Sequence, residues 1–466
     1  MSDATTGDAR LLSKGYRGWL LTVLLIVCTF NYADRAILAV LAQPIKMDLK
    51  LTDGQLGWLQ GLAFATLYSV LGVPIGRLAE RKSRIAIIGV ATAVWSAMTA
   101  LCGFAHSFVS LFLCRVGVGV GEAGFLAPAT SLLGDHYPRE KRASALAVVM
   151  LGVPAGYMLG AIVGGQIVQH FNWRMGFFAF GIPGIIGALL AYFTLREPPR
   201  GMVEGVANDV VEKTSLLSIM KILWAKPSFR QILIGGAIAG FGLNAVGQFT
   251  NPYLIRVQHL DFAKAGLIFG LISGFANGAG TLLGGFGSDY MARRDPRWAA
   301  WSCSLGLLIT APVYVIAWTR PDVASLIPFV FIGNMMLITF YMPTFAMVQN
   351  LVGPRMRASA VALFSLVFSM VGAGLGPVGL GYLSDTFAEA AFAAGHFAAT
   401  CPGGMAPAGS EDALKSACAA ASATGLKNAM VAVNLSFVWA AVHFFLAART
   451  LKADFYRTPA EQAQAA

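Results

Sequence analysis

Charge is what this chain has least of: Lys, Arg, Asp and Glu make up 12% of its 466 residues, against 56% hydrophobic residues and a mean hydropathy of +0.66. Soluble domains carry about 25% charged residues, so a globular enzyme with a water-facing surface is excluded. Strict polar and apolar alternation is missing too. The apolar runs continue all round for about 20 residues, enough to cross a bilayer as helix, which excludes a porin-type barrel. Met1 to Arg17 lacks an apolar stretch followed by a small-residue cleavage site, so the first span is expected to be the anchor, with the N-terminus inside. Six cysteines show no metal-ligand spacing, and neither a metal nor another cofactor is implied. No nucleophile and base stand together, which argues against an enzyme. No basic face interleaved with aromatics offers itself to nucleic acid, so the net charge of +11 has another cause.

What the chain does have is twelve apolar spans, centred near residues 30, 66, 95, 121, 156, 184, 240, 275, 308, 336, 371 and 437. With both termini inside, the inside segments hold 24 of the 34 Lys and Arg, the outside segments hold eight, and Arg35 and Arg115 lie within spans. Cytoplasmic loops retain basic residues, so this bias accounts for the net charge and sets the orientation. The chain reads as an all-α membrane protein. It has an N-terminal six-helix half over 1–195, a cytoplasmic linker over 196–229 containing Glu197-Pro198-Pro199-Arg200-Gly201, a C-terminal six-helix half over 230–450 and a cytoplasmic tail over 451–466.

Internal repeats support two pseudo-symmetric halves. Gly76-Arg-Leu-Ala-Glu80 after span 2 has a counterpart in Gly285-Phe-Gly-Ser-Asp289 after span 8, and Arg142-Ala-Ser-Ala145 before span 5 recurs as Arg357-Ala-Ser-Ala360 before span 11. Glycines recur every four residues in span 5 (Gly152, Gly156, Gly160, Gly164) and in span 8 (Gly266, Gly270, Gly274, Gly278). Such faces let helices approach closely, so spans 5 and 8, and by weaker series spans 2 and 11, are expected to meet.

Gly76-x-x-x-Glu80-Arg81-x-Ser83-Arg84 resembles the loop 2 to 3 motif of the major facilitator superfamily, and Arg115-x-x-x-Gly119-x-Gly121-x-Ala123 resembles its span 4 motif. Asn31-Tyr32-Ala-Asp34-Arg35 and Gly119-Val-Gly121-Glu122-Ala123-Gly124 are similar to the spinster branch, whose eukaryotic members move lysophospholipids and sphingosine-1-phosphate. The resemblance covers nearly the whole chain and implies a secondary transporter working by alternating access. Ser83 departs from the usual glycine of the loop motif. Span 5 lacks the Gly-Pro pair of many drug/proton antiporters, which argues against that assignment. Gly119-x-Gly121-x-x-Gly124 also matches a dinucleotide fingerprint, but it lies mid-span with no strand before it, so no nucleotide is implied.

Few ionisable groups reach bilayer depth: Asp34 and Arg35 in span 1, Arg115 and Glu122 in span 4, and His443 in span 12. Asp, Lys or Arg there costs about 2.5 to 3.5 kcal/mol on the insertion scale, so function is expected of them. Arg115 and Glu122 are seven residues apart, which puts them about 20° from eclipsed and about 10 Å apart on one helix face. They can share a cavity without touching. Asp34 and Glu122 are assigned the coupling proton and Arg115 the anionic headgroup. The competing reading is a static pair in which Asp34 or Glu122 holds Arg115 and keeps spans 1 and 4 in register. Asp34 and Arg35 point in different directions and should not pair with each other; Arg35 is left to a different neighbour or to snorkelling, and His443 to packing near Asn434 and Ser436.

The second half offers only neutral polar groups at this depth, among them Asn277, Asn334 and Thr339. Asn244 and Gln248, one turn apart in span 7, and Tyr341 are the candidate substrate contacts, with interhelical hydrogen bonding the plainer role. Phe241, Phe249, Phe269, Phe275, Met335, Met336 and Met342 would accept an acyl chain, or simply pack. A gate latch between spans 2 and 11 is expected of Gly76, Glu80, Arg81 and Arg84 after span 2 and of Asp289, Arg293 and Arg294 after span 8, because each set pairs a carboxylate with cations at an inside helix end. A bare topology signal would use the same cations.

Cys401 and Cys418 share the long outside loop, about Thr386 to Thr424. A disulfide between them is expected, and in the chain-entropy model it restricts the loop by about 3 kcal/mol. The function read from all this is a monomeric, multi-pass transporter of the cell (inner) membrane that moves lipid-like anions, lysophospholipids first, by proton-coupled alternating access. Its partners are the substrate, protons and membrane lipids. An organic-anion or small-carboxylate transporter of the same fold is the second reading, and a non-transporting lipid-binding or sensing protein the third.

Overall fold

The structure, a computed structural model, describes residues 13–200, 216–353, 356–393 and 395–456. Residues 201–215 of the expected linker and 457–466 of the expected tail lie outside the described residues. Among the described residues, twelve helices are long and apolar enough to cross a membrane. They are α1 Lys14–Leu49, α2 Asp53–Ala79, α3 Arg84–Cys102, α4 Phe108–His136, α5 Ser144–His170, α6 Trp173–Thr194, α7 Pro227–Arg256, α8 Phe262–Ala292, α9 Trp298–Thr319, α10 Val323–Asn350, α11 Ser359–Ala391 and α12 Asp412–Asp454.

Side-chain caps start several of these helices. Thr52 and Gln55 form a capping box at α2, Ser107 and Ser110 another at α4, and the side chains of Asn172 and Asp322 cap α6 and α10. Ser83, the departure from the loop motif, is the N-cap of α3, where its hydroxyl accepts from the Ala86 N–H. Several of these helices carry irregular turns: among them, α2 breaks at Gly61, and π-helical turns occupy Ile272–Ala276 in α8 and Ser369–Leu375 in α11.

By contact the chain divides into two compact units. The first comprises Met1–Ile45, Ala63–Glu212 and Asp261–Gly270; the second comprises Lys46–Leu62, Lys213–Leu260 and Leu271–Ala466. Relative to the halves expected from sequence, the last residues of α1 and the first of α2, Lys46–Leu62, group with the second unit and the first turns of α8 with the first.

In the first unit, α5 and α8 do meet: a methyl at Gly266 would lie 2.5 Å from the Ala161 carbonyl oxygen, and one at Gly165 would lie 3.1 Å from the Gly266 Cα. The glycine row singled out in α5 is not the surface that does this. Gly152, Gly156, Gly160 and Gly164 face α1, with methyl positions 2.9 Å from the Thr29 nitrogen, 2.4 Å from the Thr29 oxygen, 2.5 Å from the Ala33 oxygen and 3.2 Å from the Ile37 side chain. The sequence shows that a face is bare, not which helix fills it. Around these contacts the core packs Leu24, Val27, Trp95, Phe125 and Val149.

In the second unit α2 meets α11, the Gly57 and Gly61 methyl positions lying 2.4 and 2.3 Å from the carbonyl oxygens of Pro377 and Gly374. The expected outside loop is shorter than its sequence suggested. Ala-rich residues from Asp412 onward are helical, as their propensity favours, so Cys418 sits buried within α12. His443 bonds through Nδ1 to the Gln231 Oε1 at 2.6 Å, rather than to Asn434 or Ser436.

Candidate functional site

Consecutive positions 34 and 35 on α1 project about 100° apart, so each reaches a different residue of α4. Asp34 Oδ2 lies 3.4 Å from Arg115 Nη1, and its Oδ1 accepts from the Thr99 hydroxyl of α3 at 2.9 Å. Two turns along α4, Glu122 Oε2 accepts from Arg35 Nε at 2.7 Å. The four groups thus form two ion pairs across α1 and α4, with side chains 3% (Asp34), 2% (Arg115), 0% (Glu122) and 21% (Arg35) exposed.

Aromatic rings complete the surroundings. The Arg35 guanidinium carbon is 4.9 Å from the Tyr32 ring centre, 4.7 Å from Phe64 and 4.9 Å from Tyr68. Phe64 also lies 5.9 Å from the Arg115 carbon, so one ring serves both cations. Beside them a cavity of about 10 Å³, room for about one water, is lined by Asn31, Tyr32, Arg35, Tyr68, Glu122 and Phe125 among others. Among the described residues, no protein group hydrogen-bonds to the buried Glu122 Oε1, Asn31 Nδ2 or Arg115 Nε.

Set beside the expectations from sequence, the partners differ. Arg115 and Glu122 share α4 but not a partner: Arg115 is held by Asp34, and the cation that lines the cavity is Arg35. Sequence reasoning missed the Arg35–Glu122 pair, although three aromatic residues at 32, 64 and 68 were there to suggest a guanidinium cage. Asn244 donates its Nδ2 to the Gly240 carbonyl at 2.9 Å, the interhelix-free, within-helix option. Among the described residues, no protein group hydrogen-bonds to the buried Gln248 Oε1, and Tyr341 packs by its ring with Phe340, Phe345 and Phe368.

The residues assigned to the latch separate into different environments. Glu80 and Arg81 are exposed, and a methyl at Gly76 would meet only Ala127 at 3.8 Å. Arg84 is 1% exposed and knitted into the first unit, bonding Asp135, Glu197 Oε1 at 2.6 Å and the Ser131 carbonyl at 3.2 Å. Glu197 also accepts from the Ser83 hydroxyl and the Ile85 N–H, closing the start of α3. Asp289 lines a separate cavity of about 290 Å³ with Gly285, Met342 and Phe455, while Arg293 is exposed and Arg294 donates to the Tyr290 hydroxyl at 3.3 Å. The Cys401–Cys418 disulfide is formed, with the Cα atoms 5.7 Å apart.

Twelve membrane-length helices among the described residues, with charge pairs buried between them, are the features of a polytopic membrane protein. The Major Facilitator Superfamily model matches residues 24–377, and the chain belongs to that superfamily. Within it the chain is spinster-like. An MFS-type efflux pump of Mycolicibacterium smegmatis is 32% identical over 374 residues, 80% of this chain and 86% of the relative. The human protein spinster homolog 1 is 27% identical over 392 residues, 80% of this chain and 74% of the relative. The crystal structure of a bacterial homolog to the human lysosomal transporter Spinster, in an inward-facing and unoccupied conformation, matches with a TM-score of 0.87 at 33% identity, over 96% of this chain and 100% of that one.

Proposed function

We propose that this transporter moves lysophospholipid-like amphipathic anions across the cell (inner) membrane by proton-coupled alternating access, as a monomer with both termini cytoplasmic and with residues 1–195 and 230–450 as the moving halves. The observation that carries this reading is the double ion pair of α1 and α4, in which Arg35, paired with Glu122 and 21% exposed, is the most accessible cation for an anionic headgroup. This transfers the headgroup role from Arg115 to Arg35. Arg115 remains the partner of Asp34.

When all four groups are ionised the site is neutral, so it holds no excess charge in a medium that penalises one. A headgroup that draws Arg35 away leaves Glu122 without its counter-charge, and a buried carboxylate that loses its cation takes up a proton more readily. Substrate binding and protonation are thereby linked through one side chain. Asp34, bonded to Thr99 and Arg115, is the second carboxylate of the relay. Taken by itself, the second unit offers Asn244, Gln248 and Tyr341 as neutral polar groups, with Phe340, Phe345 and Phe368 packed around Tyr341.

Reconstitution in liposomes with a panel of labelled lysolipids, with and without a pH gradient, tests the reading. Gradient-driven movement of a lysophospholipid supports it. Movement of small carboxylates but of no lysolipid would replace it with the organic-anion reading.

A further inference from the structure

A second set of buried charges lies where α1 ends and α2 begins, in the second unit. Asp53, the first residue of α2, accepts from Lys46 Nζ of α1 at 2.6 Å, from Arg256 of α7 at 2.6 and 2.9 Å, and from the Ser384 hydroxyl of α11 at 2.7 Å. Asp385, next along α11, accepts from the backbone N–H groups of Asp53 and Gly54 at 2.9 and 2.7 Å, so it caps the N-terminus of α2. Arg256 also reaches the Ser422 hydroxyl of α12 at 3.4 Å. Lys46 and Asp53 are each 2% exposed and Arg256 is 9% exposed. Five helices therefore converge on one carboxylate and its neighbours.

Residues 46–62, which supply Lys46 and Asp53, change allegiance along their own helices: they group with the second unit, while the rest of α1 and α2 groups with the first. The change on α2 coincides with the helix break at Gly61. An alternating-access transporter has to free such a segment each time it opens outward. Ion pairs suit that duty at a membrane edge, because the parted charges rehydrate, whereas an apolar seam would have to be exposed to water.

The loop between α11 and α12 sits on this cluster. Gly403 (φ +71°) and Gly404 (φ +80°) adopt left-handed backbone that favours glycine, and they bring the chain against Lys46 and Lys50. A methyl at Gly403 would lie 2.9 Å from the Lys46 oxygen and 3.1 Å from the Lys50 Cα; one at Gly404 would lie 3.4 Å from Lys46 Nζ. What keeps the loop there is the Cys401–Cys418 disulfide, buried in a small core with Phe392, Phe397 and Ala421.

We propose that Lys46, Asp53, Arg256 and Asp385 form the outer gate of this transporter, and that the disulfide-bonded loop is the bolt that sets how readily the gate opens. Lys46, Asp53 and Asp385 are positioning residues in this role.

Amide hydrogen exchange of the full-length protein in lipid nanodiscs reads the gate without any substrate, so its outcome is independent of the lipid assignment. In the unmodified protein the amides of 50–60 should exchange slowly. Reduction of the folded protein with dithiothreitol, the Cys401→Ser/Cys418→Ser double variant and Asp385→Asn should each speed exchange of 46–62 by about tenfold while leaving 20–40 unchanged, because a local opening is being made easier. Unchanged exchange of 46–62 on reduction overturns the bolt, and unchanged exchange in Asp385→Asn overturns the gate. Faster exchange spread equally over 20–40 overturns both, since it marks a general loss of structure.

Discussion

The two buried charge clusters of this transporter contain four groups each, and they are satisfied very differently. At the outer cluster Asp53 accepts four hydrogen bonds from side chains on three other helices, and Asp385 takes two backbone N–H groups besides. At the inner cluster each acid has one cationic partner, the Asp34–Arg115 contact is long at 3.4 Å, and among the described residues no protein group hydrogen-bonds to Glu122 Oε1, Arg115 Nε or Asn31 Nδ2. A fully satisfied polar network rigidifies one arrangement, whereas an unpaired buried polar group is costly. The outer cluster is the better satisfied of the two and should be the harder to part.

The largest effect should come from the acid that the cavity touches. Glu122→Gln should retain measurable lysolipid binding and lose the response of uptake to a pH gradient; gradient-driven uptake unchanged in this variant would remove Glu122 from the proton path. Next is Arg115→Met, which strands Asp34 as an unpaired buried charge and should destabilise the protein by about 3 to 5 kcal/mol. Adding Asp34→Asn should restore most of that loss. If the double variant is no more stable than the single one, in thermal unfolding followed by fluorescence, the two residues do not form an energetic pair and the contrast between the clusters weakens.

Removing the disulfide should cost about 3 kcal/mol of global stability in the chain-entropy model, which counts the freedom regained by the unfolded chain. Intact-mass measurement with alkylation, before and after reduction, checks that Cys401 and Cys418 are blocked in the purified protein; full alkylation without reductant would refute the bond. The smallest effect is expected at Glu197, which lies outside the spans. Burial alone would push its carboxyl up, but the Ile85 N–H, Arg84 and Ser83 bonds outweigh that and hold it below the ordinary 4.5. A carboxyl lowered in the folded state stabilises above its ordinary value and loses that contribution as pH falls through the lower folded value. The native protein should therefore exceed Glu197→Gln in stability by less than about 1 kcal/mol at neutral pH, the pair being partly exposed, and the gap should close as pH falls through the lowered folded value.

Much of the inner cluster is legible in sequence because a charge in an apolar run of 20 residues stands out whatever its neighbours. Its pairing is not, because partner choice depends on the rotation of α1 against α4, and Arg35, adjacent to Asp34, could be discounted only by knowing where each side chain points. The outer cluster is invisible for a different reason. Positions 46, 53, 256 and 385 are far apart in the chain, and each reads as an ordinary loop charge until α1 is seen to run to Leu49 and α2 to begin at Asp53. Helix count follows from composition; which faces meet does not, as the glycine row of α5 facing α1 illustrates.

The π-helical turn at Ile272–Ala276 has a consequence for how α8 is wired. One residue in excess of the regular repeat turns everything beyond it by about 100° about the helix axis. Before the turn, Gly266 and Gly270 face α5; after it, Gly280 and Gly284 face α10, with methyl positions 2.3 Å from the Met335 and Thr339 carbonyl oxygens, and Gly278, in step with the earlier pair by sequence, has nothing within 4 Å. The phase slip lets a single helix serve two unrelated partners in succession, one in each unit. Wound as an uninterrupted α-helix, the same residues would bring Gly280 and Gly284 within about 40° of the Gly266 meridian, so the two glycine pairs would point one way and could not face α5 and α10 in turn.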